Sequence, residues 1–358
     1  MSSIRVALAG VGNVASALVQ GVEMYRRSDC RLGLLPEIDQ YSVTDLEFVV
    51  AFDVNANKVG RDLSEAIFVE PNNTVGVFEP PELGAPVLKG PVLDGLDSRI
   101  REFVPVDESQ RAADVAGELR RRGADVLVIT IPTGSQRAAE FYANAALDAG
   151  CAVFNGMPAL VANDPTISAK AERLGLPVVG DDVKSQVGAT IVHRSLANIF
   201  PSRGAVLDRT IQLDWGGDMD FCNLLSNGRY EMGKRQSKTE SVIARLPNRD
   251  DVEVQISAVD YIPFLANQKE AYFRLEGRIF GGVPVRIDVT MQVIDGYNSA
   301  GIIVDGVRVL KIALDGGVGG VLHPACSFFN KRPPEQLDDV VARERLVEFI
   351  RGERPRGG

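Results

Sequence analysis

Residues 4–25 read IRVALAGVGNVASALVQGVEMY. An alternating apolar run leads into Gly10-Val11-Gly12, and the apolar positions Val14, Ala17, Leu18 and Val22 then recur at helical spacing, so the stretch predicts strand, turn and helix in that order. Two glycines at such a turn permit close backbone approach to a pyrophosphate, and the helix start behind them offers amide donors and a favourable dipole. Ser16 stands where a third glycine completes the dinucleotide fingerprint, so the motif taken alone also fits a plain glycine turn. The sequence around it decides between the two.

The next strong strand, LEFVVAFDVN, ends in Asp53, where an acidic group would accept the adenosine ribose hydroxyls and disfavour a 2′-phosphate. Its distance from the glycines is unusually long and implies an insertion around residues 26–44. Residues 70–92, rich in proline and glycine, read as a loop excursion or lid. Strand and helix then alternate through ADVLVITIP, CAVFNG and LPVVGDD, as in a parallel sheet covered by helices. Thr130 and Pro132 in TIPTGSQ, Asn155 with Gly156, and Asp181, Asp182 and Lys184 in GDDVKSQVGAT all follow strands, at the edge where such sheets bind ligands. The two aspartates also fit a helix-capping role.

After Pro201 the pattern changes to RTIQLDWGG, DVEVQISAVDYI, AYFRLEGRIF and PVRIDVTMQVID, with one helical insert near 236–246 and a hairpin at FGGVP. Helices return from Asn298. The expected architecture is α/β: a Rossmann-type NAD-binding parallel sheet from residues 1–200 plus 301–358, with an inserted α+β domain, 201–300, built on an open, mostly antiparallel sheet.

Composition narrows the function. The 358 residues carry a formal charge of −9, which argues against a nucleic-acid or acidic-membrane partner, and no apolar run approaches the roughly 20 residues of a membrane span. The N-terminus has no secretory signal, so a cytoplasmic location is the expectation, and the sequon Asn72-Asn73-Thr74 carries no glycan there. Four scattered cysteines suggest neither disulfides nor a zinc knuckle, and with two histidines the acids and bases of an enzyme would be lysines and carboxylates.

GKRQSKTE, residues 233–240, places Lys234 and Lys238 four apart, on one face of a helix, in an otherwise acidic chain. A solvated basic surface is the plain interpretation. Ser237 and Thr239 nearby, and Asp218, Asp220 and Asn223 just before, favour a loop and helix around a polyanion. Lys269 and Lys331 have apolar neighbours and are either snorkelling or partly buried. Asp295 ends a strand before a helix, where capping and catalysis compete.

Taken together, VGNVASALVQGVE, NGMPA, GDDVKSQVGATIVHR, DWGGDMDFCN, SKTESV, NSAG and PPEQL resemble the inositol-3-phosphate synthases, in their shorter prokaryotic form, over nearly the whole chain. The resemblance implies a redox-neutral isomerisation of D-glucose 6-phosphate to 1D-myo-inositol 3-phosphate. In it NAD takes a hydride from C5, the ketone acidifies C6, the enolate closes on the C1 aldehyde, and the hydride returns. It assigns Lys234, Lys238, Lys269, Lys331 and Asp295 to the active site. Lys234 and Lys238 would serve the reacting oxygens and the phosphate, Lys269 would act at C5, Lys331 would position the substrate and assist closure, and Asp295 would orient a lysine or hydroxyl. Gly10, Gly12, Asn13, Val14, Asp53, Thr130, Asp182 and Lys184 match cofactor positions. Clustered lysines would lower one another's pKa and make one a proton shuttle. The resemblance also implies a homotetramer built through residues 201–300 and a response to a monovalent or divalent cation. The sequence departs from the family at Gly296-Tyr297, where Ser-Pro is common, and around HPACSFFNKRPP and SNGRYEMG. Two other readings stay open: a dehydrogenase of the homoserine or amino-acid class, and an NAD-sensing protein without catalysis.

Overall fold

The first strand, β1 (Ile4–Ala9), is almost wholly buried and lies at the middle of a sheet, flanked by β2 (Leu46–Asp53) and β4 (Val126–Ile129), both parallel to it. The computed structural model describes residues 3–28, 31–96, 98–225, 242 and 251–353. Beyond β2 lies the short edge strand β3 (Val87–Lys89), and beyond β4 come β5 (Ala152–Asn155), β6 (Pro177–Val179) and a late strand, β11 (Gly320–Val321). The order is β11-β6-β5-β4-β1-β2-β3, with every pair parallel. Strands buried on both faces read as unbroken apolar runs, as VLVI at β4 does.

Helices cover this sheet: α1 (Asn13–Arg26), α2 (Leu63–Ala66), α3 (Ser98–Arg101), α4 (Val115–Arg122), α5 (Gln136–Ala149) and α6 (Pro165–Leu174). The second sheet joins β7 (Val206–Gly216), β8 (Glu253–Tyr261), β9 (Gln268–Arg278) and β10 (Pro284–Ile294) in the order β10-β9-β7-β8. Its β10/β9 and β9/β7 pairs are antiparallel and its β7/β8 pair is parallel. Along β9, Ala271, Phe273 and Leu275 point inward with the two-residue period of a half-buried strand, and meet Ala197 and Phe200 of α7 (Ala189–Ser202) in a second apolar cluster. The β9–β10 hairpin turns on Gly281 and Gly282, both at φ +76°.

The short α8 (Met219–Leu224) follows β7. After β10 the chain enters α9 (Asp295–Asp315), which packs against α1, β4, β5 and β6. Gly306 lets it approach: a Cβ there would lie 2.2 Å from the Phe154 ring. The last helices are α10 (His323–Phe329) and α11 (Asp339–Ile350).

Three details differ from the sequence expectation. Residues 70–92 are not a loop throughout, because Val87–Lys89 adds an edge strand beside Ala51–Asp53. The helix expected from Asn298 starts three residues earlier, at Asp295. Asp181 and Asp182 cap no helix; α7 begins at Ala189 behind Gly188. The insertion after α1 is pinned by a buried pair on α9: Asp305 accepts from Leu35 N at 2.9 Å, and Arg308 pairs with Asp305 at 2.7 Å while donating to the carbonyls of Ile38 and Tyr41. Burial pushes the Asp305 carboxyl up to about 6. Among the described residues no helix is long and apolar enough to cross a membrane. The expected helical insert near 236–246 lies outside the described residues, Val242 excepted.

Candidate active site

Gly10 makes the first turn possible. It sits at φ +93°, its amide donates to Phe52 O at 2.8 Å, and a Cβ would meet Thr130 O at 2.6 Å. Gly12 has nothing within 4 Å of a built Cβ, so the start of α1 opens onto free space. Asp53 holds the turn from below: it accepts from Val11 N at 2.7 Å and from Val54 N and Asn55 N at 2.8 Å. A carboxylate has about four lone-pair sites, so three backbone bonds leave Asp53 room for one further donor. Lys58 braces the same turn by donating to Val11 O at 2.7 Å and Asn72 Oδ1 at 2.8 Å, and burial pulls its pKa down.

The cavity that opens here is lined by Gly10, Gly12, Asn13, Val14, Asp53, Thr130, Pro132 and Asp182, and also by Lys269, Asp295 and Lys331. Residues scattered over more than 300 positions thus face one space. Lys234 and Lys238, with Ser237 and Thr239, lie outside the described residues.

Sheet register explains the approach of Lys269 to Asp295. Lys269 on β9 is paired with Val293 on β10 and with Gly216 on β7, and Asp295 follows one residue after β10 ends. The result is Lys269 Nζ 3.8 Å from Asp295 Oδ2, with the Phe221 ring of α8 5.9 Å from the ammonium. Burial alone would lower the lysine pKa, but the carboxylates of Asp295, Asp214, Asp220 and Asp218 outweigh it and hold the ammonium above its ordinary range. The expectation that crowded lysines lower one another's pKa therefore does not describe Lys269, whose described surroundings are acidic.

On the facing wall, Lys331 donates to Asp182 Oδ1 at 3.0 Å, and their backbones are joined by Lys331 N to Asp182 O at 2.7 Å. Asp182 adopts φ +64°, an uncommon conformation for a side-chain-bearing residue, which turns its carboxylate toward the lysine.

Two expected cofactor residues do not line the cavity. Asn155 is fully buried behind it, donating to Met157 O, Ala159 O and Asp181 Oδ1. Lys184 points the other way, to Asp339 at 2.8 Å and Ser327 O at 3.1 Å, with burial pulling its pKa down. Asp182, Val183 and Ser185 line the cavity, while Lys184 is drawn to the other side by its ion pair with Asp339. Asp181 is walled in, accepting from the amides of Val161, Ala162 and Asn163.

Asp220 and Asn223, singled out in the sequence, meet Thr133, and the segment Asn72–Thr74, read only as a sequon, proves to hold the turn. Thr133 donates to Asp220 at 3.0 Å and Asn223 to Thr133 O at 2.8 Å, which tie α8 to the β4 loop. Asn72, Asn73 and Thr74 bind the glycine turn itself, through Val11 O, Asn13 Oδ1 and the Asn13 side-chain amide. A cluster of short amides outside any periodic element was the available signal, and the sequon pattern hid it. Among the described residues no group of three or more His, Cys, Asp or Glu is placed to hold a metal ion.

A family model described as Myo-inositol-1-phosphate synthase matches residues 188–296. The inositol-3-phosphate synthase of Corynebacterium glutamicum is 49% identical over 98% of this chain and 98% of its own, and that of Mycolicibacterium smegmatis is 46% identical over the same shares. A solved structure titled Ari2 is 35% identical, with a TM-score of 0.78 over 98% of this chain and 99% of the other. With the cavity's lysines and the glycine turn in one space and near-half identity along the whole length, the chain belongs to the inositol-3-phosphate synthase family.

Proposed function

We propose that the protein converts D-glucose 6-phosphate to 1D-myo-inositol 3-phosphate without net oxidation or reduction. The observation that carries this reading is the Lys269–Asp295 pair opening onto the same cavity as the Gly10–Asn13 turn. NAD would be held by Gly10, Gly12, Asn13, Val14, Asp53, Thr130, Pro132 and Asp182; the open space beyond Gly12 and the unfilled acceptor position on Asp53 fit its pyrophosphate and ribose. When bound, it supplies reversible hydride acceptance.

The chain's own groups serve the charges that appear on oxygen. Lys269, held as an ammonium, donates to the C5 oxygen and stabilises it when it carries charge, and the protons leaving the C5 hydroxyl and C6 pass to a neutral lysine of the Lys234 and Lys238 pair. Asp295 holds that ammonium in place. Lys331, fixed on Asp182, positions the substrate from the opposite wall and assists ring closure. Lys234 and Lys238 take the phosphate and the remaining reacting oxygens. Residues 1–200 plus 301–358 form the cofactor unit, and 201–300 form the catalytic and oligomerisation unit of a homotetramer that works in the cytoplasm; a monovalent or divalent cation assists.

The test is incubation with glucose 6-phosphate and a catalytic amount of NAD. Inositol phosphate forming in large excess over the cofactor supports the reading; one reduced cofactor per product, as a simple dehydrogenase would give, sinks it.

A further inference from the structure

Thr74 stands where three parts of the molecule meet. Its amide donates to Asn13 Oδ1 at 3.1 Å, its hydroxyl donates to Asn267 Oδ1, and that oxygen also accepts the Gly296 amide at 3.0 Å. Asn13 opens α1 at the glycine turn, Asn267 directly precedes β9, which carries Lys269, and Gly296 directly follows Asp295. Neighbouring residues reinforce the junction: Asn73 donates to Gly217 O at 2.9 Å, and the Tyr297 hydroxyl donates to Val75 O at 2.9 Å. Residues 72–75 therefore strap the cofactor turn to both elements that carry the Lys269–Asp295 pair.

Space at the junction is tight. A Cβ on Gly296 would lie 2.7 Å from Asn267 Oδ1, 2.9 Å from Thr74 Oγ1 and 3.0 Å from Asn13 O. Gly296 has no positive φ, so its need for glycine is steric. Asn267, 1% exposed, is not free to swing aside, because its Nδ2 donates to Asp218 Oδ2 at 3.1 Å while Asp218 caps α8 through the amides of Asp220 and Phe221.

We propose that Thr74 and Asn267 are positioning residues for the reaction: with Gly296 leaving them room, they set the Lys269–Asp295 pair at a fixed place relative to the cofactor turn. This rests on the function proposed above. Such placement matters because a displacement of about 1 Å costs on the order of 100-fold in rate.

The experiment compares wild type, Thr74→Ser, Thr74→Ala, Gly296→Ser and the double variant Thr74→Ala/Gly296→Ser. Each is assayed for inositol phosphate formation, NAD affinity by fluorescence titration, and Tm. Thr74→Ala loses about 10-fold in kcat, the worth of one hydrogen bond, with KM little changed, and Thr74→Ser restores it. Gly296→Ser loses about 100-fold, and the double variant recovers part of that loss because the vacated hydroxyl and methyl admit the serine. NAD affinity stays within about 2-fold in Thr74→Ser and Thr74→Ala, since the backbone amide that holds Asn13 Oδ1 is kept in both. Wild-type kcat in Thr74→Ala, or simple addition of the two losses in the double variant, overturns the proposal. An inactive wild type overturns the functional reading on which it rests, and non-additive Tm shifts at Gly296 and Thr74 tell that failure from an absent junction.

Discussion

Lys269 Nζ lies 3.8 Å from Asp295 Oδ2, on side chains that are 16% and 24% exposed. At that separation and burial the pair attracts far more strongly than one in bulk water, and three further carboxylates add to the same field. The lysine is held as a cation, and under the proposed mechanism the space beside it would receive an oxyanion. Lys269→Met is expected to lower kcat by about 100-fold to 1,000-fold, the usual loss for one oxyanion donor, while leaving NAD affinity intact. Steady-state kinetics beside a cofactor titration check this.

The pH dependence follows from the same field. The folded pKa of Lys269 is raised above 10.5, so its charge is complete below that value and is lost only above it. Between about pH 6 and 9, the kcat profile carries no limb from Lys269. Lys269→Arg, which never deprotonates in this range, keeps the shape of the profile even where it lowers the rate. A limb near neutrality that vanishes in the arginine variant would show that Lys269 acts as a base.

His193 titrates in the other direction. It is fully buried between Gln212 Oε1 at 2.9 Å and Thr210 Oγ1 at 2.6 Å, and Gln212 donates to both oxygens of Asp214, so the Nδ1 hydrogen points to Gln212. Burial pulls its pKa from 6.5 down to about 4. The unfolded chain then binds more protons than the folded one between those values, so stability rises with pH across the window and is lost on acidification. The gap between those two values corresponds to about 3 kcal/mol. Denaturant titrations from pH 4 to 7 are expected to show a slope that His193→Asn reduces.

Gly10→Ala tests the turn. At φ +93°, with Thr130 O 2.6 Å from the new Cβ, the substitution adds about 1–3 kcal/mol of backbone strain besides the clash. A lower Tm together with weakened NAD binding is the expected pair of results; full NAD affinity would place the cofactor elsewhere.

Much of the fold was legible because both periodicities were clean. The alternation in AYFRLEGRIF is the alternation of Ala271, Phe273 and Leu275 into the core, and the unbroken VLVI is a strand covered on both sides. The edge strand at Val87 was hidden because three residues carry no period, and proline and glycine surround it. In the site, Lys269, Lys331 and Asp295 line one cavity, whereas Lys184 turns away from it because a carboxylate far along the chain, Asp339, pairs with it, which no local pattern shows. The Asn72–Thr74 strap was beyond reach because its partners, Asn13 and Asn267, lie 60 and 193 residues from the residues they bind.

The most direct measurement is isotopic. Glucose 6-phosphate carrying deuterium at C5 is turned over in ordinary water with NAD at a small fraction of the substrate concentration. Inositol phosphate that retains the deuterium, formed without accumulation of reduced cofactor, is the predicted result. Loss of the label to water, or reduced cofactor appearing in step with product, would contradict a hydride taken and returned within this cavity.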